Sequence, residues 1–258
     1  AAHFVAQAIV EAARGKRVMM WADIALKHPD ILGELPKDLI FLPWGYSAQD
    51  DFRDQLVPIS RTGHDFIVCP GASCWGRMFP NINTAEKNIN SFTRDGALFN
   101  ALGVLNTTWD DDGENLFGYN WYPVAWGAEK SWNPVSGNID SFRASFSQSF
   151  YGTPDDSAVL GSRKLADAAE VFDYQDLRDD RFWSWPPASK FPAGGTAASE
   201  AKRLLNFAKD AESYFIAAKK TATDNRENLD YPIFAARRIA NLAERNLDYY
   251  KCMKLYKS

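Results

Sequence analysis

The stretch Leu39-Ile40-Phe41-Leu42, which runs directly into Pro43-Trp44-Gly45-Tyr46, decides the fold. Four consecutive apolar residues followed by Pro and Gly are typical of a strand buried on both faces, as strands of parallel sheets are. The same pattern, an apolar run with aromatic, Gly, Pro or polar residues at its end, occurs three more times: Val18-Met19-Met20-Trp21, Phe66-Ile67-Val68-Cys69 and Val104-Leu105-Asn106-Thr107.

Helical periodicity separates these apolar runs. Residues 4–14 carry apolar side chains at helical spacing before Gly15, residues 50–59 can form a second helix, and residues 84–98 predict a third. Strands that alternate with helices at this pitch indicate a parallel α/β fold. Because four strands are recognisable and a (β/α)8 barrel has eight, we predict that residues 1–135 form half of such a TIM-type barrel.

The pattern changes near Trp132, and the rest of the chain reads as helical. A Pro-, Gly- and Trp-rich stretch at residues 179–196 has the composition of a loop. We therefore predict that residues 136–258 form an α-helical C-terminal region, with the charged residues of its long helices on solvated faces. Its helices are predicted at residues 139–151, 157–173, 197–222 and 231–256.

The composition argues against several classes of function. A net charge of -4 and a pI of about 5.5 offer no basic surface for nucleic acid. Because no run of about 18 apolar residues occurs, we expect no membrane span. We expect no metal site, no cofactor and no His-centred nucleophile triad, since the histidines are far apart and the cysteines lack metal-type spacing. We interpret the three cysteines, Cys69, Cys74 and Cys252, as reduced core thiols.

Aromatic residues make up 14% of the chain, including nine Trp. A Trp side chain combines a flat apolar face with an N–H donor, which suits the apolar face and the hydroxyl rim of a pyranose ring. For any single Trp, the alternative that it fills the core stays open.

Three stretches of the chain carry a shared pattern: Val18-Met19-Met20-Trp21-Ala22-Asp23-Ile24 with Lys27-His28-Pro29, Phe66-Ile67-Val68-Cys69-Pro70-Gly71-Ala72-Ser73-Cys74-Trp75, and Gly103-Val104-Leu105-Asn106-Thr107-Thr108-Trp109-Asp110-Asp111-Asp112-Gly113. The segment Tyr122-Pro123-Val124-Ala125-Trp126-Gly127-Ala128-Glu129-Lys130-Ser131-Trp132 follows them. Together the three stretches resemble glycoside hydrolase family 20, the β-N-acetylhexosaminidases, and the segment after them is similar to the helix that closes the family's barrel. The resemblance covers about residues 1–150 and implies the C-terminal half of the catalytic barrel.

The resemblance implies hydrolysis of terminal β-linked N-acetylhexosamine by a substrate-assisted retaining mechanism. In this family the substrate's own acetamido oxygen attacks the anomeric carbon, an Asp orients that group, and the adjacent Glu protonates the leaving oxygen. Trp109 is then the floor under the sugar ring, Asp111 accepts hydrogen bonds from distal hydroxyls, and Asp23 lines the pocket or orients its neighbours. The predicted substrate-binding residues are Trp21, Asp23, Trp44, Tyr46, Trp75, Trp109 and Asp111.

The sequence departs from the family pattern at the catalytic pair. The family's Asp-Glu pair follows His-x-Gly-Gly after the fourth strand, and these 258 residues contain neither motif, so the catalytic residues stay unknown. The family's Tyr and Asp after the seventh strand are not evident either, and Cys74 and Trp75 stand near that place. The chain opens Ala1-Ala2-His3-Phe4, without Met or a signal peptide, and we expect a cut inside a larger protein, which leaves its localisation open.

Three hypotheses about function follow. The chain is half of a family 20 enzyme, or a carbohydrate-binding fragment with a Trp-lined sugar site, or a structural fragment whose aromatic residues are core. The acidic run Asp110-Asp111-Asp112-Gly113-Glu114 superficially resembles a calcium loop but lacks its alternating ligand spacing. Sugar contact by Asp111 and a solvated loop stay open as alternatives.

Half a barrel also has consequences for assembly. Four strands leave two open sheet edges, which are templates for pairing with another chain. We therefore expect a homo-oligomer, or association with the missing N-terminal half of the barrel, with an N-acetylhexosamine-containing glycan as the ligand. The alternative is that the helices after residue 150 cover the edges.

Overall fold

A computed structural model describes residues 2–111, 115–171, 174, 177–178 and 196–257. The chain divides into two compact units, which we call the sheet unit and the helical unit. The predicted domain boundary after residue 135 stays a prediction. The sheet unit comprises Ala1–Ala72, Thr84–Thr107 and Trp126–Gly137, and the helical unit comprises Ser73–Asn83, Thr108–Ala125 and Asn138–Ser258.

The sheet unit contains a four-stranded parallel sheet in the order β1-β2-β3-β4. The predicted α/β fold with four parallel strands is confirmed. Its fourth strand is shorter than the apolar run predicted, because only two residues there pair continuously with β3. The strands are β1 (Val18–Trp21), β2 (Leu39–Leu42), β3 (Asp65–Val68) and β4 (Gly103–Val104).

Parallel pairing continues beyond the strands into the segments that follow them. Trp44 forms an isolated parallel bridge with Cys69, and Gly71 forms another with Thr107. Backbone hydrogen bonds from Cys69 N–H to Pro43 O and from Thr107 N–H to Pro70 O, both 2.9 Å, accompany these bridges. The segments after β2, β3 and β4 are therefore held in register with one another.

The helices before and between the strands share one hydrophobic core on one face of the sheet. They are α1 (Ala2–Ala12), α2 (Asp23–Leu26), α3 (Arg53–Ser60) and α4 (Ile82–Leu98). Each contributes buried side chains to the cluster that contains Phe41, Phe66 and Val68. Because side chains alternate across a strand, Met19 and Trp21 of β1 lie on the opposite face, where both are partly exposed.

The described part of the helical unit contains four long helices. They correspond to the four predicted ones, although α7 ends earlier than predicted, and the predicted loop at residues 179–196 lies outside the described residues except for Thr196. α5 (Trp121–Trp132) has its first turn in the helical unit and the rest in the sheet unit. The long helices are α6 (Ile139–Tyr151), α7 (Ser157–Ala169), α8 (Thr196–Thr221) and α9 (Asp230–Lys257).

Capping residues explain the bounds of α6. The Asn138 side chain accepts hydrogen bonds from the N–H groups of Asp140 and Ser141, which satisfies donors that the first helical turn leaves unpaired. Gly152 ends the helix in the left-handed conformation, with a φ of 63°. Among the described residues, no helix has the length and apolar character needed to cross a bilayer.

Candidate functional site

The C-terminal ends of β1 and β2 present aromatic side chains in the sheet unit. Trp21 is the last residue of β1 and is 38% exposed, while Trp44 follows β2 and is 37% exposed. Parallel strands place these two ends along the same edge of the sheet. In α/β folds this edge is where ligands bind.

Trp44 and Tyr46 form a stacked pair at this edge. Their ring centroids are 5.1 Å apart and the ring planes are 25° from parallel. Stacking brings the two side chains, which are two residues apart in the chain, to the same side of this segment. The pair provides a flat aromatic surface that is partly open to solvent, and we call it the aromatic platform.

The backbone at Gly71 supports the Tyr46 ring. A Cβ atom at position 71 would lie 2.8 Å from Tyr46 Cδ1 and 3.2 Å from Thr107 Oγ1, so no side chain fits there without displacing the ring. The Thr107 hydroxyl donates to Pro70 O at 2.9 Å and ties the segment after β4 to the segment after β3. Gly71 is therefore needed for the close approach of the ring rather than for an unusual φ.

Asn88 on α4 connects the segments after β2 and β3. Its Oδ1 accepts from Gly71 N–H at 3.0 Å, and its Nδ2 donates to Gly45 O at 2.8 Å and to Ser47 O at 3.0 Å. The side chain is fully buried. Asn88 is not among the site residues that the sequence predicts, although a polar residue on the apolar stripe of a helix, three residues after Ala85, is a usable signal.

Asp23 stands beside the strand end as the first residue of α2, and it is half-buried. The preceding Ala22 N–H donates to Leu42 O at 3.1 Å, so the β1–β2 pairing extends to the start of this helix. Of the predicted substrate-binding residues, Trp21, Asp23, Trp44 and Tyr46 belong to the sheet unit, and the structure brings Trp44 and Tyr46 into contact.

The remaining predicted substrate-binding residues, Trp75, Trp109 and Asp111, belong to the helical unit. Trp109 is 39% exposed and its carbonyl accepts a hydrogen bond from Cys74 Sγ at 3.3 Å. Asp111 is exposed, whereas Asp112, Gly113 and Glu114 lie outside the described residues. The part of the acidic run that the structure describes therefore faces solvent. No group of three or more His, Cys, Asp or Glu within the described ranges could hold a metal ion.

Trp75 lies in a tight loop of the helical unit. The Arg77 guanidinium lies over the Trp75 ring, 5.5 Å from its centroid, and donates to Trp75 O at 2.9 Å. Ser73, buried and with a φ of 54°, begins this loop, and its carbonyl accepts from Asn81 N–H at 3.0 Å. A buried non-glycine residue in the left-handed region needs strong support from its surroundings, so the loop conformation is tightly determined.

The thiols next to these segments are not nucleophiles. Burial raises the pKa of Cys69 to about 12, and burial raises that of Cys74 to about 12, with nearby Asp110 and Asp111 adding to the effect at Cys74. Both thiols therefore stay protonated at neutral pH. The interpretation as core thiols is confirmed for these two and is wrong for Cys252, which is exposed because it lies near the end of α9.

The helical unit also contains a small cleft with a cavity volume of about 10 Å³. Its walls are mostly aromatic, and the Tyr119 hydroxyl is buried there without a hydrogen-bond partner among the described residues. Burial raises the pKa of Tyr119 to about 12. Such a cleft lacks the several convergent polar groups that a sugar requires. The lining residues are Phe79, Gly118, Tyr119, Trp121, Tyr122, Phe146, Tyr151, Ala158, Ser162, Phe215 and Pro232.

Comparison of the sequence with protein-family models and with curated proteins finds no match. The candidate site is therefore interpreted from its own geometry, and the resemblance to family 20 stays an expectation.

Proposed function

We propose that the chain is part of a family 20-like glycoside hydrolase and that its sheet unit binds N-acetylhexosamine on the aromatic platform. The observation that carries this proposal is the stacked, partly exposed Trp44–Tyr46 pair at the C-terminal ends of parallel strands. A pyranose ring has an apolar face of C–H groups, which packs well on an indole ring. The acetamido methyl group likewise gains from an aromatic wall, and Trp21 at the neighbouring strand end supplies one.

The sheet topology supports the half-barrel part of the proposal. In doubly wound sheets the strand order reverses and helices cover both faces. Here the order is sequential, and α1 and the three connecting helices α2, α3 and α4 contribute to one core cluster on one face of the sheet. That arrangement is expected for part of a (β/α)8 barrel, whose opposite face is filled by side chains of its own strands. The partly exposed Met19 and Leu105 suit positions on that interior face.

The substrate-assisted mechanism determines which roles the protein's residues must perform. The protein supplies no nucleophile, so it must hold the sugar, orient the acetamido group and deliver a proton to the leaving oxygen. Within the sheet unit, we assign holding of the sugar to the aromatic platform. We leave orientation and proton delivery to an Asp-Glu pair that these 258 residues do not contain.

Isothermal titration with N,N′-diacetylchitobiose tests the binding proposal. We expect Trp44→Ala to weaken binding about tenfold, which corresponds to 1.4 kcal/mol. Trp132→Ala is the matched control, because Trp132 belongs to the same unit, is 86% exposed and is the last residue of α5. Cellobiose, which lacks the acetamido groups, should bind more weakly than chitobiose. Equal affinities of the two Trp variants would contradict the proposal.

A non-catalytic carbohydrate-binding role is the second candidate, and the absence of any Asp-Glu dipeptide favours it. Hydrolysis of a chromogenic N-acetyl-β-glucosaminide separates the two roles. We expect little or no turnover by the chain alone, since general acid catalysis contributes about 10²–10⁴-fold. Turnover near that of a complete family 20 enzyme, in protein shown to be free of contaminants, would contradict this expectation.

Assembly is the remaining part of the proposal. Within the described residues, β1 pairs only with β2 and β4 only with β3, so both outer strands present an unpaired edge in the sheet. We propose that the chain self-associates or pairs with the other half of a barrel. Light scattering at high micromolar concentration tests self-association, and a uniform monomer of 29.0 kDa would contradict it.

A further inference from the structure

Asn88 binds the backbone on both sides of Tyr46. The two carbonyls that accept from its Nδ2 belong to Gly45 and Ser47, the residues immediately before and after Tyr46. Its Oδ1 accepts from the N–H of Gly71, the residue whose backbone supports the Tyr46 ring. One side chain on α4 therefore fixes both the backbone that carries this ring and the surface on which the ring rests.

The chemistry of the amide is fully matched to these partners. A primary amide offers two N–H donors and an acceptor oxygen. Here both donors and the oxygen form hydrogen bonds with backbone groups in the segments after β2 and β3. Because Asn88 is fully buried, water does not replace a bond that is lost. A change at this position therefore alters the segments after β2 and β3.

We propose that Asn88 is a positioning residue of the sugar site, which holds Tyr46, and through it the Trp44 ring, in the orientation that accepts an N-acetylhexosamine. This inference rests on the proposed function of the aromatic platform. Asn88 itself does not touch the ligand and acts through the two rings.

Asn88→Asp is the sharpest variant. It keeps the size of the side chain and an acceptor for Gly71 N–H, but it turns a carboxylate oxygen towards two carbonyl oxygens. Asn88→Ser, which loses reach and one donor, is the second variant if the first does not fold. Ile59→Val is the matched control, because Ile59 is a fully buried core residue of the same unit on α3, and its change lowers stability without removing a loop hydrogen bond.

The first measurement needs no sugar. In protein labelled with 5-fluorotryptophan, the Trp44 fluorine resonance is identified by its loss in Trp44→Phe. We expect both Asn88 variants to shift or broaden that resonance and to leave the Trp132 resonance in place, whereas Ile59→Val lowers the melting temperature and shifts neither. An unchanged Trp44 resonance in the folded Asn88 variants would overturn the inference.

The second measurement is titration with N,N′-diacetylchitobiose. We expect about tenfold weaker binding by the Asn88 variants and unchanged binding by Ile59→Val. Equal losses of chitobiose affinity in the Asn88 variants and in Ile59→Val would overturn the positioning role, because the affinity would then depend on the stability of the chain alone. If the wild-type chain binds no chitobiose, the proposed function fails, and the fluorine measurement still reports whether Asn88 positions the Trp44 ring.

Discussion

The sheet unit and the helical unit use their aromatic side chains in different ways. In the sheet unit, Trp21 and Trp44 stand at strand ends and keep part of their surface open to solvent. In the helical unit, the Phe146 ring lies 5.1 Å from Tyr122 and 5.4 Å from Phe150, inside a buried network. A high aromatic content therefore does not tell which rings are open to solvent, whereas the position of a ring in the fold does.

The difference has a physical origin. Helices of the helical unit bury a continuous apolar stripe against one another, so rings on that stripe become core. A parallel sheet buries its strands, but its C-terminal edge stays uncovered where the chain leaves for the next helix. Rings at this edge have a structural contact on one side and solvent on the other.

The largest expected effect comes from deleting one ring in each unit. Phe146→Ala removes a buried ring and should lower the free energy of unfolding by about 3–5 kcal/mol. Trp44→Ala removes a partly exposed ring and should cost less than about 1.5 kcal/mol, while it weakens chitobiose binding. Urea denaturation and calorimetric titration of both variants check the pair. A greater loss of stability for Trp44→Ala than for Phe146→Ala would show that Trp44 is a core residue. It would contradict the difference between the aromatic side chains of the two units.

Alkaline pH should lower the stability of the chain through buried groups in both units. The pKa of Cys69 in the sheet unit and of Cys74 in the helical unit is raised to about 12 by burial, and that of Tyr119 is also raised to about 12. A raised pKa means that the unfolded chain loses its protons first. The stabilising contribution is therefore complete below about pH 9 and is lost as the pH rises towards 12.

Urea midpoints measured between pH 8 and pH 11 check this expectation. The midpoint should fall above pH 9 in the wild-type chain, and the fall should be shallower in Cys69→Ala/Cys74→Ala, which lacks both buried thiols. A midpoint that stays constant to pH 11 would show that the thiols and the phenol ionise as easily in the folded chain as in the unfolded one.

The sequence predicted the regular elements well and the site only in part. Apolar runs and helical periodicity depend on neighbouring residues, so β1 to β3 and the start of α6 could be placed from local patterns. The bonds of Asn88 to Gly45 and Ser47 join residues 43 and 41 positions apart, and no local pattern contains them. The stacking of Trp44 on Tyr46 could not be predicted from the sequence either. Side-chain alternation along a strand indicates which residues project to the same side, but it does not show that two rings are in contact.

The smallest expected changes in the free energy of unfolding come from two buried tyrosines of the helical unit. The Tyr119 hydroxyl is buried without a hydrogen-bond partner among the described residues, whereas the Tyr174 hydroxyl accepts from Asn246 Nδ2 at 2.8 Å. Tyr119→Phe removes an uncompensated polar group and should raise the free energy of unfolding by about 1 kcal/mol. Tyr174→Phe leaves the buried Asn246 amide without that acceptor and should lower it by about 1 kcal/mol. Urea denaturation of the two variants measures both changes, and a loss of stability in Tyr119→Phe would mean that the hydroxyl is satisfied in solution, by a bound water in the aromatic cleft.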